Sequence, residues 1–333
     1  MKTTMWVWAI GVLVLAAGCG DEGGAKPRAA NPGTASAPTP VTLQLNWKPE
    51  PQFGGFYALD AHEIDRKHGL DVTITPGGAG APTIQMIQAG KVDFGIVSAD
   101  EIVTARSRGG DVVALFAAYQ TCPQGLMTHA KRGFKEIGDV FKHEGTVAME
   151  RGLTYASLLE KKYGFDKIKI VPSPFGDLTV FRQDLSYTMQ CFVTSEPLAA
   201  TKAGLDPQTF LIADAGYNPY TTVLCTTGQY AKGNPALVKA MVSAVREAWR
   251  QYLDDPSRTN SEMEKLNPTM DAQTFKDSAE VQKPLIETDE TKQHGLGHMT
   301  TERWKTLIDQ MVEHKAIDQP VPAQDCFVAP YVN

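Results

Sequence analysis

The feature that most constrains the fold of this chain is a regular alternation of short apolar runs with helical patterns. Two runs, Val92–Val97 and Val112–Tyr119, are apolar almost throughout, as expected of strands that are covered on both faces. Between them, Ser98–Ser107 has the polar start and the residue spacing of a helix. A strand, a helix and a strand in this order form a βαβ unit, whose two strands run parallel. The sequence therefore predicts an α/β protein with mostly parallel sheets.

The same alternation starts again after Cys122, which predicts a second sheet. The predicted strands and helices of this part are Thr146–Met149, Thr154–Tyr163, Ile168–Val171, Leu178–Asp184, Met189–Val193, Glu196–Ala203 and Phe210–Ala213. A further strand, Thr221–Thr227, and a long amphipathic helix, Pro235–Leu253, then return the chain to the first sheet. The roughly 290 residues involved also exceed the size at which one core usually stops growing. We expect residues 41–121 and 222–333 in lobe 1 and residues 122–221 in lobe 2.

The N-terminal region has the pattern of an exported, lipid-anchored protein. Residues 1–18 resemble a bacterial lipoprotein signal peptide, with Lys2, a short apolar run and small residues before Cys19. An ordinary cleaved signal with an incidental cysteine is the alternative. Residues 19–40 are rich in small residues and Pro, which predicts a disordered tether. We expect lipid on Cys19 to hold an otherwise soluble protein outside the cell or in the periplasm, and either bacterial membrane fits this pattern.

Charge and cysteine content exclude several classes of function. Without the signal peptide and its Lys2, 31 basic and 38 acidic residues give a net charge of −7. There is no basic stripe, so we expect no nucleic-acid partner. Four cysteines remain, Cys122, Cys191, Cys225 and Cys326, and none has the spacing of a metal or redox site. They allow three disulfide pairings, but small buried side chains with at most one bridge fit them best.

Several motifs carry a family resemblance. The pair Asn46-Trp47 is followed by Gly55-Phe56-Tyr57-Ala58, and later come Gly90–Phe94, Ser98–Glu101, Val193–Pro197 and Tyr217–Tyr220. Together they span most of the chain and resemble the NMT1/THI5-like substrate-binding proteins of ABC importers. The resemblance implies a two-lobe periplasmic binding protein fold of type II, in which each lobe is a mostly parallel sheet flanked by helices. It also implies a monomer that delivers a small ligand to an ABC permease and ATPase, with no catalytic residue, metal or cofactor.

Ligand contacts are expected where strands end, because loops at the carboxyl ends of parallel strands line the clefts of α/β proteins. Trp47 follows the first predicted strand and offers a flat ring for stacking, although a half-buried packing role is the alternative. Ser98 and Glu101 have the spacing of a capping box, so capping alone explains them equally well. Asp100 would then be the freer acid.

The remaining candidates lie on three other loops. Arg151 would meet an anionic group and Tyr155 would stack, or both are ordinary charged and helix-face residues. Thr194 or Ser195 is also a natural N-cap. The full set of predicted ligand contacts is Trp47, Tyr57, Ser98, Asp100, Glu101, Glu150, Arg151, Thr154, Tyr155, Thr194, Ser195, Glu196, Tyr217 and Tyr220.

Three kinds of function fit the sequence. The aromatic and acidic candidates favour a planar nitrogen heterocycle, such as a thiamine-precursor pyrimidine. Riboflavin, or a small anion such as nitrate or a sulfonate, is the alternative, although only Lys48 and Arg151 would supply cations. An alternative of another class is a THI5-like enzyme that makes the pyrimidine. That enzyme needs a cysteine-rich motif, which this sequence lacks.

Overall fold

The computed structural model describes residues 37–150 and 152–328. The signal peptide, Cys19, most of the predicted tether and Arg151 therefore lie outside the described residues. These described residues belong to one compact unit.

Two five-stranded sheets form the framework of the described chain. Their strands are β1 (Thr39–Gln44), β2 (Leu70–Thr75), β3 (Phe94–Val97), β4 (Val112–Tyr119), β5 (Gln124–His129), β6 (Gly145–Ala148), β7 (Ile168–Val171), β8 (Tyr187–Phe192), β9 (Pro207–Leu211) and β10 (Thr221–Thr227). The first sheet has the order β2-β1-β3-β10-β4 and the second has the order β7-β6-β8-β5-β9.

Each sheet contains a single antiparallel strand, in the position next to one edge. In the first sheet β10 runs antiparallel to β3 and β4. In the second sheet β5 runs antiparallel to β8 and β9. The other four strands of each sheet share one direction. The prediction of mostly parallel α/β sheets is thus confirmed.

Helices connect and flank these strands. They are α1 (Gly54–Ala61), α2 (Ile64–Lys67), α3 (Thr83–Gln88), α4 (Ala99–Ser107), α5 (Ile137–Lys142), α6 (Thr154–Tyr163), α7 (Thr179–Gln183), α8 (Glu196–Lys202), α9 (Gly228–Gly233), α10 (Pro235–Asp254), α11 (Ser257–Leu266), α12 (Ala272–Ile286), α13 (Asp289–His294) and α14 (Thr301–Glu313). Short 3₁₀ turns occupy Pro51–Phe53, Ala130–Arg132, Ile212–Ala215 and Ala323–Asp325.

Close packing of α1 against α10 fixes the start of the first helix, just after the loop that carries Trp47. A Cβ atom on Gly54 would lie 2.1 Å from the Tyr252 ring, and one on Gly55 would lie 2.1 Å from the Trp249 ring. Both rings belong to α10 and are buried. Only glycine fits at these two positions without displacing a core ring.

The spacing of apolar residues over Phe53–His68 predicts one helix, but the structure has two helices here. Between α1 and α2, Glu63 adopts a left-handed backbone with φ 54°, which ends the helical path. The buried Asp65 carboxylate then accepts a hydrogen bond from the Val72 backbone N–H at 3.0 Å. This bond ties the second helix to the start of β2.

Other boundaries also differ from the sequence-based prediction. β1 begins at Thr39, inside the predicted tether. Its first residues pair with β2 only, so Pro40, which has no N–H to donate, is tolerated there. β5 was not predicted, because Gln124–His129 has neither a clear alternation nor a continuous apolar run.

The cysteine prediction is confirmed: Cys122, Cys191, Cys225 and Cys326 are all buried and free of disulfides. No helix in the described part of the chain is both long enough and apolar enough to cross a membrane.

Candidate functional site

A cleft of about 680 Å³ is lined by residues of both sheets. The first sheet contributes the loop Asn46–Phe53, which follows β1, and Thr221 and Thr222 at the start of β10. The second sheet contributes Glu150, the loop around Phe175 and residues of β8 and α8, and Thr269–Asp271 completes one side. Three of the predicted loops therefore meet in this cleft, through Trp47, Glu150, and Ser195 with Glu196.

Trp47 lies half-buried on the first-sheet side of the cleft. Its indole Nε1 donates a hydrogen bond to Glu50 Oε1 at 3.3 Å, and Lys48 Nζ lies 5.9 Å from the ring centroid. The loop after β2 supports it, since the Gly77 N–H donates to the Trp47 carbonyl at 2.9 Å. A Cβ on Gly77 would lie 2.3 Å from the Leu45 carbonyl oxygen. The glycine-rich segment thus allows close backbone packing beside the cleft.

Two carboxylates from opposite walls interact across the cleft. Burial, and then the nearby Glu196, raise the pKa of Glu50 from its ordinary value of 4.5 to about 7. Burial also raises the pKa of Glu196, which the hydrogen bond from the Phe192 backbone N–H to Glu196 Oε2 at 2.8 Å partly offsets. Glu150 lines the same cleft. None of these carboxylates forms an ion pair within the described residues, although the Trp47 hydrogen bond and Lys48 partly offset the rise in the Glu50 pKa.

The cationic side chains of the cleft are few. Lys202 forms an ion pair with Asp271, and this contact lowers the Asp271 pKa. Lys48 is exposed at the rim beside the Trp47 ring. The described part of the cleft therefore carries more acid than base.

Aromatic side chains face the cleft from the second sheet as well. Phe175 is 61% exposed, which is unusual for such a large apolar side chain, and its backbone is left-handed with φ 48°. It lies in the loop after β7, and Phe192 at the end of β8 lines the same space. Flat apolar surface is thus available on both walls.

Two amides of the second sheet also line the cleft. Gln190 Oε1 accepts hydrogen bonds from the Glu150 backbone N–H at 2.8 Å and from the Tyr155 hydroxyl at 2.6 Å. Gln124 donates through Nε2 to the Cys191 carbonyl at 3.2 Å.

The predicted contacts on α4 have a structural role. Ser98 and Glu101 form a capping box, in which the Ser98 N–H donates to Glu101 Oε2 at 2.8 Å. Asp100 was expected to be the freer acid, but its carboxylate accepts from Ser98 Oγ and from the Tyr217 hydroxyl, the latter at 3.2 Å. None of these four residues lines the cleft.

The remaining predicted residues also lie outside the cleft lining. Tyr155 is 4% exposed and holds Gln190, so its ring has no free face for stacking. The Tyr220 hydroxyl accepts from the Thr300 N–H at 3.0 Å, with the Arg303 guanidinium 4.0 Å from the ring centroid. Tyr57 lines a separate cavity of about 460 Å³ against α11. Thr154 and Thr194 are buried.

Sequence reasoning missed several residues of the cleft. Glu50 is part of the Trp47 loop, and its position between two prolines could have identified it as a fixed loop side chain. The segment Pro174-Phe175-Gly176 follows a predicted strand, which is the signal that should have included Phe175. Gln124 could not be found, because it lies on the unpredicted strand β5. Gln190 lies within a predicted strand, but which side chains of that strand face the cleft depends on how the lobe packs.

Comparison with known proteins shows a family match over residues 50–259, more than half of the chain, to the family described as NMT1/THI5 like. A comparison with curated protein sequences finds no match. The chain is similar to the periplasmic aliphatic sulphonate binding protein SsuA from Escherichia coli, with a TM-score of 0.67 and 14% identity over 89% of this chain and 94% of that one.

Two further solved structures share the fold. The alkanesulfonate-binding protein SsuA from Xanthomonas axonopodis pv. citri, bound to MOPS, has a TM-score of 0.63 and 12% identity over 89% of this chain and 100% of that one. The desulfurization enzyme DSZB has a TM-score of 0.58 and 12% identity over 87% of this chain and 97% of that one. The predicted two-lobe periplasmic binding protein fold is thus confirmed.

Proposed function

The chain belongs to the NMT1/THI5-like family, and from this membership we propose that it is the substrate-binding protein of an ABC importer. Similar solved structures are periplasmic binding proteins, which supports a periplasmic location. The ligand would be held between the two sheets and delivered to the permease and ATPase. Lipid on Cys19, which lies outside the described residues, would anchor the protein to a membrane as a monomer.

The ligand that the cleft favours is a small planar nitrogen heterocycle, such as a thiamine-precursor pyrimidine. The observation that supports this best is the set of carboxylates that form no ion pair among the described residues, Glu50, Glu150 and Glu196, beside the exposed faces of Trp47 and Phe175. Amino groups and protonated ring nitrogens pair well with carboxylates. Planar rings stack on aromatic side chains.

An anionic ligand, such as a sulfonate or nitrate, is the second candidate, because the similar SsuA proteins are named as sulfonate-binding. An anion site gathers cations and free N–H donors. Here Lys202 is engaged by Asp271, and Glu50 and Glu196 would repel the ligand. Riboflavin, which is planar and uncharged in its ring system, fits this cleft better than a small anion.

A THI5-like enzyme is the alternative of another class, since the desulfurization enzyme DSZB shares the fold. Likeness of fold at this identity transfers no chemistry. We therefore favour binding without turnover. Formation of a pyrimidine by the purified protein when no pyrimidine is supplied, detected by mass spectrometry, would instead favour the enzyme.

A thermal-shift screen tests the proposal against four compounds: the aminopyrimidine precursor of thiamine, riboflavin, nitrate and an alkanesulfonate. A ligand that binds only the folded protein should raise the free energy of unfolding by about 2.7 kcal/mol at a hundredfold excess over its Kd. We expect the pyrimidine to stabilise and the anions to leave Tm unchanged. Stabilisation by the anions alone would refute the heterocycle proposal and support the second candidate.

A further inference from the structure

Two hydrogen-bond donors fix the orientation of the Gln190 carboxamide. It lies within β8 and its side chain lines the cleft. Its Oε1 accepts from the Glu150 backbone N–H at 2.8 Å and from the Tyr155 hydroxyl at 2.6 Å. A backbone N–H can only donate, so the carboxamide oxygen, and not the nitrogen, must face it.

The amide nitrogen of Gln190, Nε2, is then free to face the cleft. With Oε1 turned toward Glu150 and Tyr155, the two N–H groups of Nε2 point the opposite way. Within residues 37–150 and 152–328, Nε2 donates no hydrogen bond, although the side chain is partly buried. Nε2 is not a buried atom without a partner, so it stays accessible from the cleft that Gln190 lines. A ligand in the cleft can therefore supply an acceptor for its N–H groups.

We propose that Gln190 is a specificity-determining residue, whose Nε2 donates a hydrogen bond to an acceptor atom of the ligand. The proposal rests on the proposed binding function of this cleft. Tyr155 is then a positioning residue, which acts through Gln190 and does not touch the ligand. The ligand class becomes narrower: a planar compound with a hydrogen-bond acceptor in or on its ring.

Strand β5, which pairs with β8, supplies a hydrogen-bond acceptor to complement the Gln190 donor. Gln124 on β5 pairs with Phe192, two residues from Gln190 along β8. Gln124 Nε2 donates to the Cys191 carbonyl at 3.2 Å, and Gln124 also lines the cleft. Its Oε1 accepts no hydrogen bond from the described side chains and is available as an acceptor. The wall thus offers a donor and an acceptor from adjacent strands. An aminopyrimidine, which has a ring nitrogen next to an amino group, matches this arrangement.

The substitution Gln190→Glu tests the donor directly. A carboxylate still accepts from the Glu150 N–H and the Tyr155 hydroxyl, so the local structure should be retained, but it has no N–H for the ligand. We expect the affinity for the aminopyrimidine precursor of thiamine, measured by calorimetry, to fall at least tenfold, because the acceptor atom of the ligand would face a carboxylate. At pH 8 the added charge joins Glu50, Glu150 and Glu196 in the cleft, so the ligand-free Tm should fall modestly while the variant stays folded.

Two controls separate this role from charge and folding effects. Gln183→Glu adds the same charge at an exposed position of the same lobe and should leave affinity unchanged. Gln190→Met removes the amide without adding charge, and should weaken binding by roughly tenfold if the variant is folded.

A second probe is the benzene analogue of the pyrimidine, in which C–H groups replace both ring nitrogens. The wild type should prefer the pyrimidine, and both Gln190 variants should lose that preference.

The possible outcomes distinguish the inference from the proposed function. Binding of the pyrimidine by Gln190→Glu with wild-type or higher affinity would overturn the donor role and leave the binding function intact. The donor role would also be wrong if both Gln190 variants preferred the pyrimidine to its benzene analogue as strongly as the wild type does. If the wild type binds neither probe but binds an alkanesulfonate, the heterocycle proposal and this inference are both wrong.

Discussion

Trp47 is the residue whose role in the cleft is easiest to isolate. It is half-buried, holds Glu50 through its indole N–H and packs at the margin of the first-lobe core. If its exposed face stacks on the ligand, Trp47→Ala should weaken binding by well over tenfold. The loss combines a stacking contribution of about 0.5–1.5 kcal/mol with the apolar area that the indole buries, at about 25 cal/mol per Å². Trp47→Phe should recover much of the affinity.

The competing role of Trp47 is packing, and one pair of measurements distinguishes the two. A packing residue would cost about 3–5 kcal/mol of ligand-free stability when replaced by alanine. We expect a small loss of Tm together with a large loss of affinity in calorimetry. A strongly destabilised variant whose folded fraction still binds with wild-type affinity would show that stacking is wrong.

Glu50 should make the ligand-free stability depend on pH. Its pKa in the folded protein is about 7, above the ordinary value of 4.5. The folded state therefore binds the proton more tightly than the unfolded state. The contribution of Glu50 to stability is fully present below pH 4.5 and is lost as the pH rises through 7, by up to about 3 kcal/mol. Glu50→Gln, which removes the charge and keeps an acceptor for Trp47, should leave Tm unchanged at pH 5 and raise it at pH 8.

A matched control for this prediction is Glu160→Gln, on the exposed face of α6. It should change Tm little at either pH. Thermal unfolding of the wild type and both variants across this pH range is the measurement. If Glu50→Gln is less stable than the wild type at pH 8, the charge on Glu50 does not destabilise the fold and this prediction is wrong.

At the scale of elements, the sequence predicts best where one apolar pattern decides the structure. β4, β7, β10 and α6 have the predicted ends, because each is a short run with a single periodicity and clear turn residues at its limits. β5 was missed because a strand between two others is specified by its neighbours as much as by its own residues. The break at Glu63 depends on a tertiary contact of Asp65, which no local pattern reveals.

The site was less predictable than the fold for the same reason. Trp47, Glu150, Ser195 and Glu196 were found because each lies at the end of a predicted strand or the start of a helix. Tyr155, Tyr217 and Tyr220 occupy equivalent places in the chain but turn into the core. The direction of a side chain at a strand end depends on the packing of the whole lobe, which the order of elements does not specify.

At the scale of the whole molecule, two crossings connect the sheets, and they are bonded to each other. After β4 the chain crosses at Cys122, whose N–H donates to Asn218 Oδ1 at 2.8 Å, and Asn218 precedes the return into β10. Thr222, at the start of β10, has a left-handed φ of 55° and lines the cleft. A β-branched residue in this conformation is strained. We expect this strained position beside the linked crossings to act as a hinge when a ligand binds.

Closure should be visible in the fluorescence of Trp47. Of the three tryptophans that the structure describes, Trp249 and Trp304 are fully buried and Trp47 is half-buried beside the cleft. Acrylamide should therefore quench mainly Trp47 in the free protein. A bound aminopyrimidine, covered by Trp47 from one lobe and Phe175 from the other, should protect this emission and reduce the quenching constant severalfold. Trp47→Phe should remove the ligand-sensitive emission and leave the emission of Trp249 and Trp304. If the ligand raises Tm while the quenching of Trp47 is unchanged, ligand binding does not close the lobes over this ring.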